Sequence, residues 1–319
     1  MGIQQLYVAA PRGFCAGVHR AVETLERAIA LHGTPIYVRH EIIHNTTVVN
    51  DFKARGVVFV KDISEVPDGA VALFSAHGVA QQVVDDAAKK QLLAIDATCP
   101  LVTKVHTEAK HYAAQGTHML LIGHRGHVEV QGTMGQAPVG SMTLVDGLAE
   151  AETVMPPQTA QLALITQTTL SVDETREMVA VLKARFPNLV TPKKEDICYA
   201  TQNRQDAVKA IAPKVDVFFV VGSIASSNSN RLRETAERYG AKRAYLIDGP
   251  ADITPMMLDN AQVVGLSSGA SAPESVVQAV IAALAPTHME EVVARQETMV
   301  FQLPKEVRPQ EARVEITHG

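Results

Sequence analysis

Residues 6–29 read LYVAAPRGFCAGVHRAVETLERAI, an apolar strand-like run that breaks at Pro11, Arg12 and Gly13. Directly after Cys15 the pattern changes to helical spacing, with Val18, Ala21, Val22, Leu25, Ala28 and Ile29 on one face. The same transition recurs twice: LLAIDAT (92–98) leads into Cys99, NLVTPKKEDI (188–197) leads into Cys198, and a helical pattern follows each. These are the only three cysteines in 319 residues, one per third of the chain. A lone cysteine is commonly a small buried hydrophobe, and an odd count argues against a disulfide framework and for a reducing compartment. A thiol opening a helix, however, faces unpaired backbone N–H groups and the positive end of the dipole, which favour the metal-binding thiolate.

The whole chain alternates short apolar runs with amphipathic segments, the pattern of α/β units with parallel sheets. The strongest strands are TPIYVRH (34–40), AVALFSA (70–76), HMLLIG (118–123), LALIT (162–166), VDVFFVVG (215–222) and AQVVGL (261–266). With the thirds aligned on their cysteines, a first polar cluster falls at His44, His127 and Ser226, which lie 29, 28 and 28 residues after Cys15, Cys99 and Cys198. A second falls at His77, Thr168 and Ser271, at looser offsets of 62, 69 and 73. This is a degenerate repeat of about 90 residues. The expected fold is α/β: three pseudo-symmetric αβα units with mainly parallel sheets around a central cavity, at 1–98, 99–195 and 196–286, then a charged extension at 287–319. Ligands of open α/β sheets bind beyond the carboxyl ends of the strands, so all three cysteines and six clusters are expected at one site.

Three thiolates leave one position of a tetrahedral zinc open, with His44, His77 or His127 as fourth ligand, or leave one iron of a 4Fe-4S cluster without a protein ligand. The absence of any C-x-x-C pair favours the cluster. An iron without a protein ligand can bind substrate oxygen as a Lewis acid and deliver electrons. Ser226, Ser227 and Asn228 open a helix whose N-terminus suits phosphate oxygens, and Ser271 precedes another that begins near Pro273. N-capping is the plainer role for either serine cluster. Glu129, two residues after His127, is a candidate proton donor with Thr168 as relay. His40 and His124 lie beside these clusters; the other seven histidines carry no such positional support.

Composition limits the alternatives. The chain is 46% apolar and 20% charged with a formal net charge of -5, and no basic stripe with interleaved aromatics marks it for nucleic acid. No run approaches the roughly 18 apolar residues of a membrane span and MGIQQLYVAAPRG is no signal peptide, so a cytoplasmic protein without membrane association is expected. The nucleotide-binding fingerprint GxGxxG is absent.

The motifs PRGFCAGVHRA, YVRHEIIHN, FSAHGV, DATCPLVTKVH, GTMGQ, TQTTLSVDET, DICYATQNRQ, VVGSIASSNSNRL and GASAPE occur in order from about residue 5 to about residue 285. This series resembles the 4-hydroxy-3-methylbut-2-enyl diphosphate reductases, the last enzymes of the methylerythritol phosphate route to isoprenoids. The resemblance implies a two-electron reductive dehydroxylation to isopentenyl and dimethylallyl diphosphate. It implies that Cys15, Cys99 and Cys198 hold a 4Fe-4S cluster. His44, His77, His127, Ser226, Ser227, Asn228 and Ser271 would surround the diphosphate, and Glu129 with Thr168 would deliver protons. A small electron carrier of ferredoxin or flavodoxin type is the implied partner.

In one respect the chain departs from that family, which usually has proline where this sequence has Val128, between His127 and Glu129. The extension ending KEVRPQEARVEITHG lies outside the resemblance and reads as a tail or as a strand covering a sheet edge. Two competing readings are another three-cysteine cluster enzyme of the quinolinate synthase type and a non-enzymatic iron-sulfur sensor. The SSNSN and TQTTL motifs speak against the first, and the lack of a recognisable partner-binding module against the second.

Overall fold

A computed structural model describes residues 2–158 and 161–308. The chain opens with β1 (Gln5–Ala10) and turns into α1 (Ala16–His32). The first third continues through β2 (Ile36–Arg39), α2 (Thr46–Ala54), β3 (Val57–Val60), β4 (Val71–Phe74), α3 (Gln81–Lys89) and β5 (Leu93–Asp96). The middle third holds α4 (Pro100–Ala114), β6 (His118–Ile122), α5 (Val128–Met134), β7 (Met142–Val145), α6 (Leu148–Thr153), β8 (Leu162–Thr166) and α7 (Val172–Arg185). The last third holds α8 (Tyr199–Ile211), β9 (Val217–Val221), α9 (Ser227–Arg238), β10 (Arg243–Ile247), β11 (Val263–Ser268), α10 (Glu274–Leu284) and β12 (His288–Val293).

The strands form three sheets in the orders β3-β2-β4-β5, β7-β6-β8 and β10-β9-β11-β1-β12, and every pairing within them is parallel. In the second sheet Val190 bridges Ala163 of β8 and so takes the place that β5 takes beside β4. The fold is therefore the expected α/β architecture of three related units. Helices cover the faces of the sheets, so β6 and β9 are buried along their whole length and read as continuous apolar runs. Phe218 and Phe219 show this directly: one packs with Ile211 and Leu232, the other with Leu266 and Val277, on opposite faces. Each such burial contributes about 1.5–3 kcal/mol.

Sheet membership follows the boundary at 98 and differs at the chain ends, where β1 and β12 share one sheet. β1 belongs to the sheet of the last third, where Gln5 and Leu6 pair with Val263 and Val264. It occupies the position that β5 holds in the first sheet, so the third unit is completed by the first strand of the chain. β12 lies on the far side of β1 as an edge strand, with most of its side chains in solvent. The extension thus begins as a strand on a sheet edge, and its residues 309–319 lie outside the described residues.

This closure has a signature at the cysteines. Cys99 N–H donates to Ala76 O at 3.0 Å, Cys198 N–H to Thr168 O at 3.0 Å, and Cys15 N–H to Ala270 O at 3.1 Å. Each cysteine is thus tied to the second polar cluster of the preceding unit, and the third unit is tied back to the first. The three bonds form a ring with no free end.

Candidate active site

All three cysteines are N-caps: Cys15 of α1, Cys99 of α4 and Cys198 of α8. They line one cavity with about 770 Å³ of space between atoms, open solvent at its mouth included. His44, His77, His127, Glu129, Thr168, Ser226, Ser227, Asn228 and Ser271 line it as well, so every residue singled out in the sequence reaches the same place. His40 and His124 do not line it. In each sheet the two strands that feed the cavity are adjacent (β2 with β4, β6 with β8, β9 with β11) and their connections run in opposite directions, which opens a crevice between their ends.

The thiols do not behave as helix position alone predicts. Burial, with Cys15 beside each, pushes the Cys99 thiol up to about 12 and the Cys198 thiol up to about 11. Backbone N–H groups of Leu101 and Val102 act the other way on Cys99 but are outweighed. Without a cation the pocket therefore favours protonated sulfur, and a cationic centre would reverse that preference. Gly17 makes room for the sulfurs, because a Cβ there would stand 2.6 Å from Cys99 Sγ and 3.9 Å from Cys15 Sγ. Among the described residues no three His, Cys, Asp or Glu side chains are placed to hold a single metal ion. Three convergent thiols with a glycine cleared for them fit a larger, polynuclear group.

Opposite the thiols stand three imidazoles. The His44 and His77 rings stack with centroids 4.0 Å apart, and His127 meets them edge-on at 5.6 and 6.2 Å. Their outer nitrogens are set by neighbours: His44 Nδ1 by Glu41 Oε2 at 3.0 Å, His77 Nδ1 by Ser75 Oγ at 3.2 Å. His127 Nδ1 accepts from Glu129 N at 3.2 Å, so its ring hydrogen sits on Nε2. Burial, helped by His44, lowers His127 to about 3 and holds His77 well below its usual value. Both rings are neutral in the free protein. His44 Nε2, His127 Nε2 and both amide atoms of Asn228 are buried without a hydrogen-bond partner. Such groups cost about 1–3 kcal/mol each unless a ligand satisfies them.

The serines are more self-contained. Ser226 Oγ caps α9 by accepting from Ser229 N at 3.3 Å, Ser227 Oγ donates to Thr169 O at 3.0 Å, and Ser271 Oγ donates to His44 O at 3.0 Å. Capping and pocket lining therefore coincide in Ser226.

Glu129 is 3% exposed, in the first turn of α5. Burial raises its carboxyl to about 7, against two bonds from Thr168 that hold it down. Thr168 N donates to Oε1 at 2.7 Å and Thr168 Oγ1 lies 3.1 Å from Oε2. Among the cavity residues that sequence reasoning did not single out are Thr201, Tyr199 and Phe301. Thr201 reaches Cys198 Sγ through its hydroxyl at 3.1 Å and its N–H at 3.4 Å, and the Cys-x-x-Thr capping spacing could have revealed it. Tyr199 and Phe301 also line the cavity, and no pattern marks either.

The profile of the family described as LytB protein matches residues 6–285. A 4-hydroxy-3-methylbut-2-enyl diphosphate reductase of Gluconobacter oxydans is 52% identical over 307 residues, covering 94% of this chain and 91% of the relative. One of Cronobacter sakazakii is 52% identical over 309 residues, covering 95% and 98%. Among solved structures, the E-1-hydroxy-2-methyl-but-2-enyl-4-diphosphate reductase of Plasmodium falciparum superposes with a TM-score of 0.92 at 37% identity, over 96% of this chain and 97% of that one. A second reductase structure, described as the terminal enzyme of the non-mevalonate pathway, gives 0.61 at 28% identity over 89% and 99%.

Proposed function

The chain belongs to the LytB protein family, and from that premise we infer that it is an oxidoreductase acting on 4-hydroxy-3-methylbut-2-enyl diphosphate. The reaction consumes two electrons and two protons: the allylic carbon–oxygen bond breaks, one proton leaves with the oxygen as water, and the other ends on carbon. Isopentenyl and dimethylallyl diphosphate are the products. The observation that carries the reading is the set of unpartnered polar atoms on His44, His127 and Asn228, in the same cavity as three cysteines and a buried acid.

Cys15, Cys99 and Cys198 would hold a 4Fe-4S cluster, which when bound would supply the electrons and a Lewis-acidic iron free of protein thiolate. The rest of the work belongs to side chains. His127 Nε2–H and the Asn228 amide are donors ready for phosphate oxygens. His44 keeps Nδ1 at 3.0 Å from the Glu41 carboxylate, which fixes the ring and leaves the buried Nε2 without a protein partner. His77, Ser226, Ser227 and Ser271 complete the enclosure of the diphosphate.

Glu129 and Thr168 form a proton relay. Thr168 N donates to Oε1 and Thr168 Oγ1 to Oε2 of the carboxylate; when the acid is neutral its proton would take Oε2, and the bond to Thr168 Oγ1 would reverse. The Thr168 hydroxyl hydrogen is then free for the departing oxygen, and an acid near 7 suits that transfer. Electrons would arrive from a small ferredoxin- or flavodoxin-type carrier in the cytoplasm. Among the described residues no helix is long and apolar enough to cross a membrane.

Anaerobic reconstitution with iron and sulfide, followed by turnover of the hydroxylated diphosphate with a reduced viologen dye, tests the proposal. A brown protein that forms both products is expected. A fully loaded protein that leaves the diphosphate unchanged would overturn it.

A further inference from the structure

The segment after β12 lies beyond residues 6–285, yet it returns to the cavity. Three ties hold it. Glu297 Oε1 accepts from Arg204 Nη1 at 2.9 Å and from Asn203 Nδ2 at 3.2 Å; Gln302 O accepts from Arg20 Nε at 2.8 Å; Val307 is buried in the core of the first unit. Arg204 has no exposed surface, sits on the helix that Cys198 caps, and donates through Nη2 to Gly13 O at 2.8 Å, two residues before Cys15. The strap is thus anchored to the supports of two of the three cysteines.

Between the first two ties Phe301 lines the cysteine cavity. Beside that cavity lies a second cleft with about 1000 Å³ of space between atoms, open solvent included, flanked by Arg12, His19 and Met299, with Val300 at its rim 86% exposed. The two spaces have two side chains in common, Tyr199 and Phe301. Tyr199 is fixed by its place next to Cys198 and by Ala16 N–H, which donates to its hydroxyl at 3.4 Å. Phe301 depends on the strap alone.

We propose that Phe301, with Tyr199, is the partition between the thiol cavity and the outer cleft, and that the strap from 294 to 308 sets how readily solvent, oxygen and reagents reach the three sulfurs. Phe301 is on this account a positioning and shielding residue, not a catalytic one. Truncating the ring joins the two spaces, whereas the polar atoms that face the diphosphate are carried by other elements and stay in place. The inference rests on the functional reading only where it speaks of a cluster; the partition concerns the thiols themselves.

The test uses the full chain in two states. In the cluster-free protein at constant pH, Phe301→Ala is expected to speed iodoacetamide labelling of Cys15 and Cys198 by roughly fivefold or more, read by peptide mass spectrometry, because thiol reactivity follows access. Phe301→Leu should restore most of the protection, and Val300→Ala should leave it unchanged. Glu297→Gln, which loosens the anchor but keeps the ring, should shift labelling in the same direction by a smaller factor. In the reconstituted protein, loss of visible absorbance to air or to an iron chelator should accelerate in the same order. Wild-type labelling rates in both Phe301→Ala and Glu297→Gln would overturn the proposal. If the wild type takes up no cluster but the labelling order holds, the functional reading falls and the partition stands.

Discussion

At equivalent strand ends the first two units and the third meet the cavity with different chemistry. His44, His77 and His127 follow strands of the first and second sheets and can change charge; Ser226, Ser227, Asn228 and Ser271 follow strands of the third and cannot. The hydroxyls there are already engaged by the protein, which leaves the Asn228 amide as a fixed pair of dipoles. On the proposed reading, one backbone plan would meet the diphosphate in two ways: with imidazoles from the first two units and with an amide, whose donors do not depend on pH, from the third. The second unit adds a proton donor that the other two lack.

That addition gives the largest expected effect. Glu129→Gln should keep the three thiols and any cluster they hold, while kcat falls by about 10²–10⁴, the usual contribution of a positioned acid. Stopped-flow turnover of protein with a matched iron content checks this, and undiminished kcat would remove the acid from the mechanism. In the wild type, activity should decline as pH rises through about 7, because the raised carboxyl must be protonated to act.

The same residue sets the sign of a stability difference. Glu129 binds its proton more tightly folded, at about 7, than at its ordinary 4.5, so between those values the folded state holds the extra proton and stability falls as pH rises. Glu129→Gln should therefore gain on the wild type across that window, by on the order of 3 kcal/mol in urea titrations of the cluster-free protein. His127 has the opposite sense: lowered to about 3, it contributes stability above its ordinary 6.5 that is lost as pH falls towards 3. A flat difference between wild type and Glu129→Gln would show that burial is not what tunes the acid.

Smaller effects separate the two anion sites. Asn228→Ala should raise KM by about 10- to 100-fold with kcat little changed, the range of hydrogen bonds to charged groups. Calorimetry with inorganic diphosphate should show proton uptake that shrinks in His127→Asn and persists in Asn228→Ala. The least effect is expected of Val128→Pro. Val128 is the first residue of α5 and His127 before it has φ −66° and ψ 136°, a geometry that proline accepts on both sides. Thermal unfolding should show a gain of about 0.4–1 kcal/mol from a stiffer unfolded chain.

Much of this could be read from residues. The six strands named from apolar runs all form, and the first offsets of 29, 28 and 28 hold because each spans the same helix and strand. The second offsets spread because the last connection differs in each unit: one 3-10 turn in the first, the helix α6 in the middle and two 3-10 turns in the third. What escaped was non-local or unpatterned. Nothing in QLYVAA says that its partner is 258 residues away at Val263, and HMEEVV shows no alternation because most of its side chains lie in solvent. Phe301 reaches the cavity only through ties made by Glu297 and Gln302, which leave no periodic trace. At the thiols the helix end acts as expected on Cys99, but in the cation-free pocket burial and a neighbouring sulfur outweigh it.

Because β1 is held between β11 and β12, it finds its partners only 258 residues further along the chain, where Gln5 meets Val263. Cys15 is fixed in the ring only through Ala270, beyond that pairing, and α8 with Cys198 rests on the same β1. A group held by all three sulfurs would find its set of ligands incomplete until that stretch is in place.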